Sequence, residues 1–118
     1  MILFKEDSVP PLIIVFTPDN VGIMHAVNNG LINFGLDAII TGGMEGVHPG
    51  THGDSEHYHG RALDFRVRDW PTKYLDGILK NISGHLDILT KTRTKILGCP
   101  VQYFYQLEGD HLHVERSH

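Results

Sequence analysis

Histidine is the unusual feature of this 118-residue chain, which holds nine of them. Six of the nine fall in two short clusters, His48, His52, His57 and His59 in the first and His111 and His113 in the second. Imidazole is the commonest side-chain ligand for metals in proteins, so clustered histidines favour a metal site. The isolated His118 at the end of the chain carries no such signal.

A three-ligand site can be assembled from both clusters. His57 and Asp64 are separated by seven positions, an odd offset that would direct them to opposite faces of one unbroken strand. Gly60 lies between them and supplies the turn that lets both reach one ion. The third ligand is expected near the C-terminal end, where His111 and His113 fall on the same face of a strand.

Two nitrogens and one carboxylate oxygen suit a catalytic zinc ion, because three protein ligands leave a fourth tetrahedral position for water. Zinc lowers the pKa of that water to about 7, and a carboxylate that does not bind the metal can take its proton. Asp110 is the candidate for this base. An offset of three from His113 would face the wrong way in a regular strand, so Asp110 is expected in a turn or beside a bulge at Gly109.

The alternative interpretation is a polar cluster that serves structure alone. It requires three independent spacings to coincide at His57, Asp64 and His113, so we give it low weight. The other histidines of the first cluster are expected to lie in a loop, solvated or hydrogen-bonded locally.

Hydrophobic patterns and turn residues predict the strands that position these residues. The segment Leu12 to Phe16 suits either a buried strand or a core-lining extended segment. A tight turn at Glu108-Gly109-Asp110 joins the last two strands. A long loop, of the kind that is usually functional or mobile, is predicted from Gly42 to Glu56. The remaining strands are predicted at Leu36 to Thr41, Ala62 to Arg68, Val101 to Leu107 and His111 to Arg116.

Two helices complete the prediction. Asp19 or Asn20 caps the first, which ends at Gly35, and Pro71 opens the second. Their apolar stripes are Val21, Met24, Val27, Leu31 and Phe34 in the first, and Tyr74, Leu75, Ile78, Leu79 and Ile82 in the second. The order of elements predicts one α+β domain over residues 1–118, with a small, largely antiparallel sheet and two main helices.

Composition limits the possible functions. A formal charge of -4 argues against a nucleic-acid binder, which needs a basic surface to neutralise phosphates. The longest apolar run, Pro11 to Phe16, is too short to cross a membrane, and no signal peptide precedes it. We therefore expect a cytoplasmically synthesised monomer without membrane insertion. The single Cys99 cannot form an internal disulfide and is interpreted as a structural residue in an apolar setting.

The pattern Ser-x-His-x-x-Gly-Arg-Ala-x-Asp-Phe runs from Ser55 to Phe65, and an acidic residue stands three positions before the second histidine of His-x-His. This paired motif resembles the zinc D-Ala-D-Ala metallopeptidases, which share a hedgehog-like fold with phage endolysins that cut peptidoglycan peptides. The likeness is detailed at Ser55 to Phe65 and at Asp110 to His113, and it extends in order from Leu36 onward. Either half of the motif alone would be weak.

The resemblance implies that His57, Asp64 and His113 are the zinc ligands and that Asp110 is the catalytic acid/base. His111 would orient the site or stabilise the oxyanion.

The resemblance also bears on the substrate. Ser55 would contact the substrate backbone, and Arg61 would pair with a carboxylate of the protein or of the substrate. Many relatives carry Ser-Gly-Tyr-Arg after the preceding strand, whereas this chain reads Thr-Gly-Gly-Met-Glu over residues 41–45 and lacks that arginine. The departure affects substrate choice and leaves the metal ligands untouched. Asp at position 110 is closer to the L-Ala-D-Glu endopeptidases than to the dipeptidases.

The implied function is a zinc-dependent peptidase acting on peptidoglycan stem peptides, either a D-Ala-D-Ala carboxypeptidase or an L-Ala-D-Glu endopeptidase. A phage or prophage lysis enzyme, acting at the bacterial cell wall or periplasm, is one candidate. The alternative is a non-catalytic zinc-binding or phage structural module on the same fold, and the acidic Asp110 argues against it. A metal-dependent hydrolase of other amides would share the chemistry and differ in its groove.

Overall fold

The computed structural model describes residues 1–6, 12–43 and 60–117. These ranges contain five strands and two helices, which confirms the α+β class and the number of main helices. In chain order the elements are β1 (Ile2–Phe4), α1 (Pro18–Ile32), β2 (Ala38–Gly42), β3 (Ala62–Arg66), α2 (Leu75–Leu97), β4 (Gln102–Glu108) and β5 (His111–Ser117). Neither helix in these ranges is long and apolar enough to span a membrane.

The strands form one mixed sheet in the order β1-β2-β3-β5-β4. β1 runs parallel to β2, and the other three neighbouring pairs are antiparallel, so the prediction of a largely antiparallel sheet is confirmed. The N-terminal strand β1 escapes prediction because three residues are too few to show an alternating pattern.

The core lies between the sheet and the two helices. Leu63 and Phe65 of β3, and Leu112 and Val114 of β5, are fully buried on the face that the helices cover. The burial of each such side chain contributes about 1.5–3 kcal/mol relative to exposure. Because side chains alternate along a strand, the residues between them project from the opposite face. The helix residues that complete this cluster include Ile23, Val27, Leu31, Ile78, Ile82 and Leu86.

The segment from Leu12 to Phe16 is not a strand, so the first of its two predicted forms, a buried strand, is wrong. Leu12 and Ile14 pack against the core, as expected for the core-lining alternative, whereas Ile13 and Phe16 are more than half exposed. A continuous apolar run does not distinguish a strand from another buried segment, because it lacks a diagnostic period.

Helix α1 begins two or three residues earlier than predicted from the candidate caps Asp19 and Asn20. Thr17 is its N-cap, and its Oγ1 accepts a hydrogen bond of 3.0 Å from the backbone N–H of Asn20. Asn20 lies inside the helix rather than at its cap, and its side chain donates a hydrogen bond of 2.9 Å to the carbonyl of Val15. Both candidate caps, Asp19 and Asn20, are instead buried and used in tertiary contacts.

The carboxylate of Asp19 ties α1 to two strands. Nη1 of Arg116 in β5 lies 3.2 and 3.1 Å from its two oxygens, and the hydroxyl of Tyr103 in β4 donates to Oδ1. Burial, together with the hydrogen bond to Asp19, raises the pKa of Tyr103 to about 12. A carboxylate in the first turn also interacts favourably with the helix dipole.

The second helix is preceded by a short 3-10 turn at Thr72–Tyr74, so it starts four residues after Pro71. Of its predicted stripe, Ile78 and Ile82 are buried, whereas Tyr74 is exposed. The interpretation of Cys99 as a structural residue in an apolar setting is also wrong, since the thiol is exposed just beyond the end of α2. Sequence neighbours alone do not reveal how far a helix carries a residue from the core.

We predict that Arg116→Met lowers the free energy of unfolding by about 3 kcal/mol, because it removes the cation that compensates the buried Asp19 carboxylate. Urea denaturation measures the change. Lys91→Met, at an exposed position of α2, is the matched control and is expected within about 0.5 kcal/mol of wild type. Asp19→Asn combined with Arg116→Met should recover part of the loss, since the buried charge is then gone. If Arg116→Met loses no more free energy of unfolding than Lys91→Met, Arg116 is not the cation that compensates Asp19.

Candidate functional site

Asp64 and His113 stand directly opposite each other on the neighbouring strands β3 and β5. They project from the face opposite the helices, because their flanking neighbours along each strand are buried in the core. Oδ1 of Asp64 lies 2.9 Å from Nδ1 of His113. The side chains are only 15% and 13% exposed. The strand register thus brings together two of the three predicted metal ligands.

A glycine on the next strand makes room for this pair. Gly42 of β2 is the register partner of Asp64 on its other side. A Cβ built at Gly42 would lie 3.0 Å from the Cβ of Asp64 and would collide with Oδ2. Any larger residue at this position must therefore displace the carboxylate.

The second nitrogen of the His113 ring faces another carboxylate. Nε2 lies 3.0 Å from Oε1 of Glu115, whose side chain is 23% exposed. Burial lowers the pKa of His113, but the hydrogen bonds and negative charges of Asp64 and Glu115 outweigh it, so the net shift is upward. Glu115 is absent from the predicted site. Its position two residues after His113, on the same strand face, is the sequence signal that indicates it.

Asp110 lies in the tight turn between β4 and β5, as predicted, beside Gly109 with φ +59°. Its backbone carbonyl accepts a hydrogen bond of 3.3 Å from the N–H of Val67. Its carboxylate is 92% exposed, and Oδ1 lies 3.2 Å from Nδ1 of His111. That hydrogen bond lowers the pKa of Asp110, so the carboxylate is ionised at neutral pH.

His111 is also flanked by two carboxylates. Its Nδ1 faces Asp110, and its Nε2 lies 3.3 Å from Oε2 of Glu108, the last residue of β4. The histidine is about one-third exposed. Glu108 is a second residue of this region that is absent from the predicted site, because its contact with His111 crosses the turn.

An open cleft of about 650 Å³ lies beside these residues. Asp64, Asp110 and His111 line it together, so a predicted ligand and both predicted catalytic residues face the same space. The rest of the wall comes from Leu3, Phe4, Lys5, Glu6, Ile39, Thr41, Arg66 and Arg68.

Gly60 adopts φ +68°, which confirms the predicted turn before β3. Its carbonyl accepts a hydrogen bond from the hydroxyl of Thr17, the N-cap of α1. Arg61 follows it, half-buried, and its carbonyl accepts a hydrogen bond of 2.9 Å from the N–H of Arg116. The entrance to β3 is therefore attached both to α1 and to β5.

Ser55 and His57 lie outside the described residues, as does the predicted loop beyond Gly43. Within residues 1–6, 12–43 and 60–117, no group of three or more His, Cys, Asp or Glu side chains is arranged to hold a metal ion. The three-ligand set, which needs His57, stays a prediction.

Comparison of the chain with models of known protein families, with curated proteins and with solved structures gave no match.

We predict that Gly42→Ala lowers the free energy of unfolding by about 1–3 kcal/mol, because the new methyl group overpacks the position of the Asp64 carboxylate. The ring resonances of His113 should shift as well, since its contact with Asp64 is disturbed. Gly84→Ala is the control, because a Cβ at this exposed position of α2 meets open space. It is expected to stabilise the protein by about 0.5–1 kcal/mol. Equal behaviour of the two variants in urea denaturation and NMR would refute the steric account of Gly42.

Proposed function

We propose that this chain is a zinc-dependent peptidase that hydrolyses peptide bonds of bacterial peptidoglycan, on a fold of the hedgehog/DD-peptidase type. Its activity would be that of a D-Ala-D-Ala carboxypeptidase or an L-Ala-D-Glu endopeptidase. The observation that carries this proposal is the contact between Asp64 and His113 across neighbouring strands. The resemblance of the paired motif at Ser55 to Phe65 and Asp110 to His113 to the zinc D-Ala-D-Ala metallopeptidases implies that these two residues bind one metal.

The donor atoms suit zinc. A carboxylate oxygen and an imidazole nitrogen are usual zinc ligands at about 2.0–2.1 Å, and two such ligands at a tetrahedral angle lie about 3.3 Å apart. The 2.9 Å between Oδ1 of Asp64 and Nδ1 of His113 needs to open by only a few tenths of an ångström. In the proposal His57 supplies the third ligand.

When bound, zinc supplies an electrophile that polarises a substrate carbonyl and lowers the pKa of water to about 7. Asp110 supplies the proton transfers, since its ionised carboxylate can accept a proton and later donate it to the leaving nitrogen of the cleaved amide. His111, in hydrogen-bond contact with Asp110, orients that carboxylate toward the cleft.

The cleft carries basic side chains that can pair with carboxylates of a peptide, alongside the acidic Asp110. Lys5, Arg66 and Arg68 line it beside Asp64, with Glu6 on the same wall. Peptidoglycan stem peptides carry several carboxylates, for which guanidinium groups are good partners. In this proposal the enzyme acts on the wall after synthesis in the cytoplasm, as a phage or prophage lysis enzyme does.

A panel of synthetic muropeptides, analysed by mass spectrometry, tests the function directly. A single cleaved bond, D-Ala-D-Ala or L-Ala-D-Glu, would identify the activity. Metal binding without any cleavage, and without clearing of a peptidoglycan suspension, would favour the non-catalytic zinc-binding module instead.

We predict one tightly bound zinc ion per chain, measured by elemental analysis of the purified protein. His113→Ala and His57→Ala should each lose the metal, because two remaining protein ligands hold the ion poorly. His85→Ala, which changes a histidine of α2, is the control and should retain it. Unchanged metal content in either ligand variant shows that its assignment is wrong.

We predict that Asp110→Asn keeps the metal and loses about 10²–10⁴-fold in the rate of hydrolysis, since the amide preserves shape but accepts no proton. The rate is measured on the best muropeptide, with metal content checked in the same sample. Asp87→Asn, an exposed position of α2, should match wild type. Full activity of Asp110→Asn would exclude this residue as the base, and loss of its metal would make it a ligand.

A further inference from the structure

We propose that Glu115 is the positioning residue for His113, and that it accepts the Nε2 hydrogen so that the Nδ1 lone pair is directed toward Asp64 and the metal. The inference rests on the proposed zinc site and adds to it a residue that the motif does not contain. Glu115 acts through His113 and touches neither metal nor substrate in this scheme.

The geometry supports a lasting hydrogen bond. Nε2 of His113 and Oε1 of Glu115 are 3.0 Å apart. The two residues are two positions apart in β5 and therefore project from the same face of the sheet. With side chains 13% and 23% exposed, the pair faces little competition from water.

The chemistry of imidazole gives this contact its role. A neutral ring binds a metal through one nitrogen and carries its hydrogen on the other, so the partner of the second nitrogen selects which tautomer is present. Metal-binding histidines almost always donate that hydrogen to a carboxylate, a carbonyl or water. At His113 the two nitrogens face different groups, since Asp64, the other proposed ligand, lies beside Nδ1 and Glu115 lies beside Nε2.

The setting of Glu115 makes it a rigid support. Strand β5 lies between β3 and β4, and Glu115 is paired with Ala62 on one side and Phe104 on the other. Its backbone is therefore held from both sides in the interior of the sheet. A histidine ring that is hydrogen-bonded to such a residue keeps its position, because the backbone that carries the residue moves little.

The second histidine of the hairpin provides a contrast. His111 also lies between two carboxylates, but its contacts are 3.2 and 3.3 Å, and its partners Asp110 and Glu108 are 92% and 44% exposed. Solvent screens such contacts strongly. The shorter and more buried arrangement is the one around His113.

Two substitutions separate the hydrogen bond from the bulk of the side chain. Glu115→Gln keeps an oxygen that can accept the Nε2 hydrogen, whereas Glu115→Leu has a similar volume and no acceptor. Zinc affinity, measured by competition between zinc chloride and a chromophoric chelator, should fall about 10–100-fold in Glu115→Leu. It should stay within a few-fold of wild type in Glu115→Gln. Glu108→Leu, which removes a carboxylate from His111, is the matched control and should leave zinc affinity unchanged.

A second readout does not depend on zinc affinity or activity. Long-range ¹H–¹⁵N NMR of the zinc-loaded wild-type protein should show the His113 hydrogen on Nε2. A hydrogen on Nδ1 overturns the proposal, and this outcome can be observed in the wild-type protein even where Glu115→Leu does not fold.

The outcomes separate the two proposals. One zinc per wild-type chain with undiminished affinity in Glu115→Leu overturns the role of Glu115 alone. Equal losses in Glu115→Leu and Glu108→Leu also overturn it, because they would reflect the loss of any nearby negative charge. A wild-type protein that binds no zinc overturns both the positioning role and the metal site. If zinc affinity falls selectively in Glu115→Leu but the wild-type protein cleaves no muropeptide, the positioning role is supported and the peptidase activity is rejected.

Discussion

The register between β3 and β5 determines both the core and the candidate site. Leu63 is paired with Val114 and Phe65 with Leu112 on the helix-covered face, while Asp64 faces His113 on the other. Because side chains alternate with a period of two, a slip by one residue would expose the apolar pairs and separate the carboxylate from the imidazole. The free energy gained by burying the core therefore also maintains the contact between the two candidate ligands.

The N-terminal end of α1 braces these two strands. The Thr17 hydroxyl bonds to the carbonyl of Gly60, just before β3, and Asp19 pairs with Arg116 near the end of β5. Both contacts use side chains in or beside the first helical turn, one as its cap and one as a buried carboxylate. Helix packing and site geometry are thus coupled, since a shift of α1 would disturb its contacts with both strands and change their positions.

A common electrostatic feature unites the histidines of the hairpin. Two carboxylates on one buried ring, as at His113, favour a positive charge there. The hydrogen bonds and negative charges of these two carboxylates outweigh burial and raise the pKa of His113. At His111 the arrangement acts on a carboxylate instead, since the hydrogen bond with the imidazole lowers the pKa of Asp110.

The sequence by itself determined the α+β class, the two helices, the turn at Gly60 and the position of Asp110 in a tight turn. These features depend on residues close together in the chain, so hydrophobic periodicity and turn-forming residues are enough to predict them. Only the tertiary structure decided the pairing of β1 with β2 and the non-strand conformation of Leu12 to Phe16. It also decided that Thr17, rather than Asp19 or Asn20, caps the first helix. It also revealed Glu115 beside His113. Each of these findings depends on contacts or burial. A given side chain can cap a helix, form an ion pair or bind a metal, and the residues that the fold places beside it decide which role it takes.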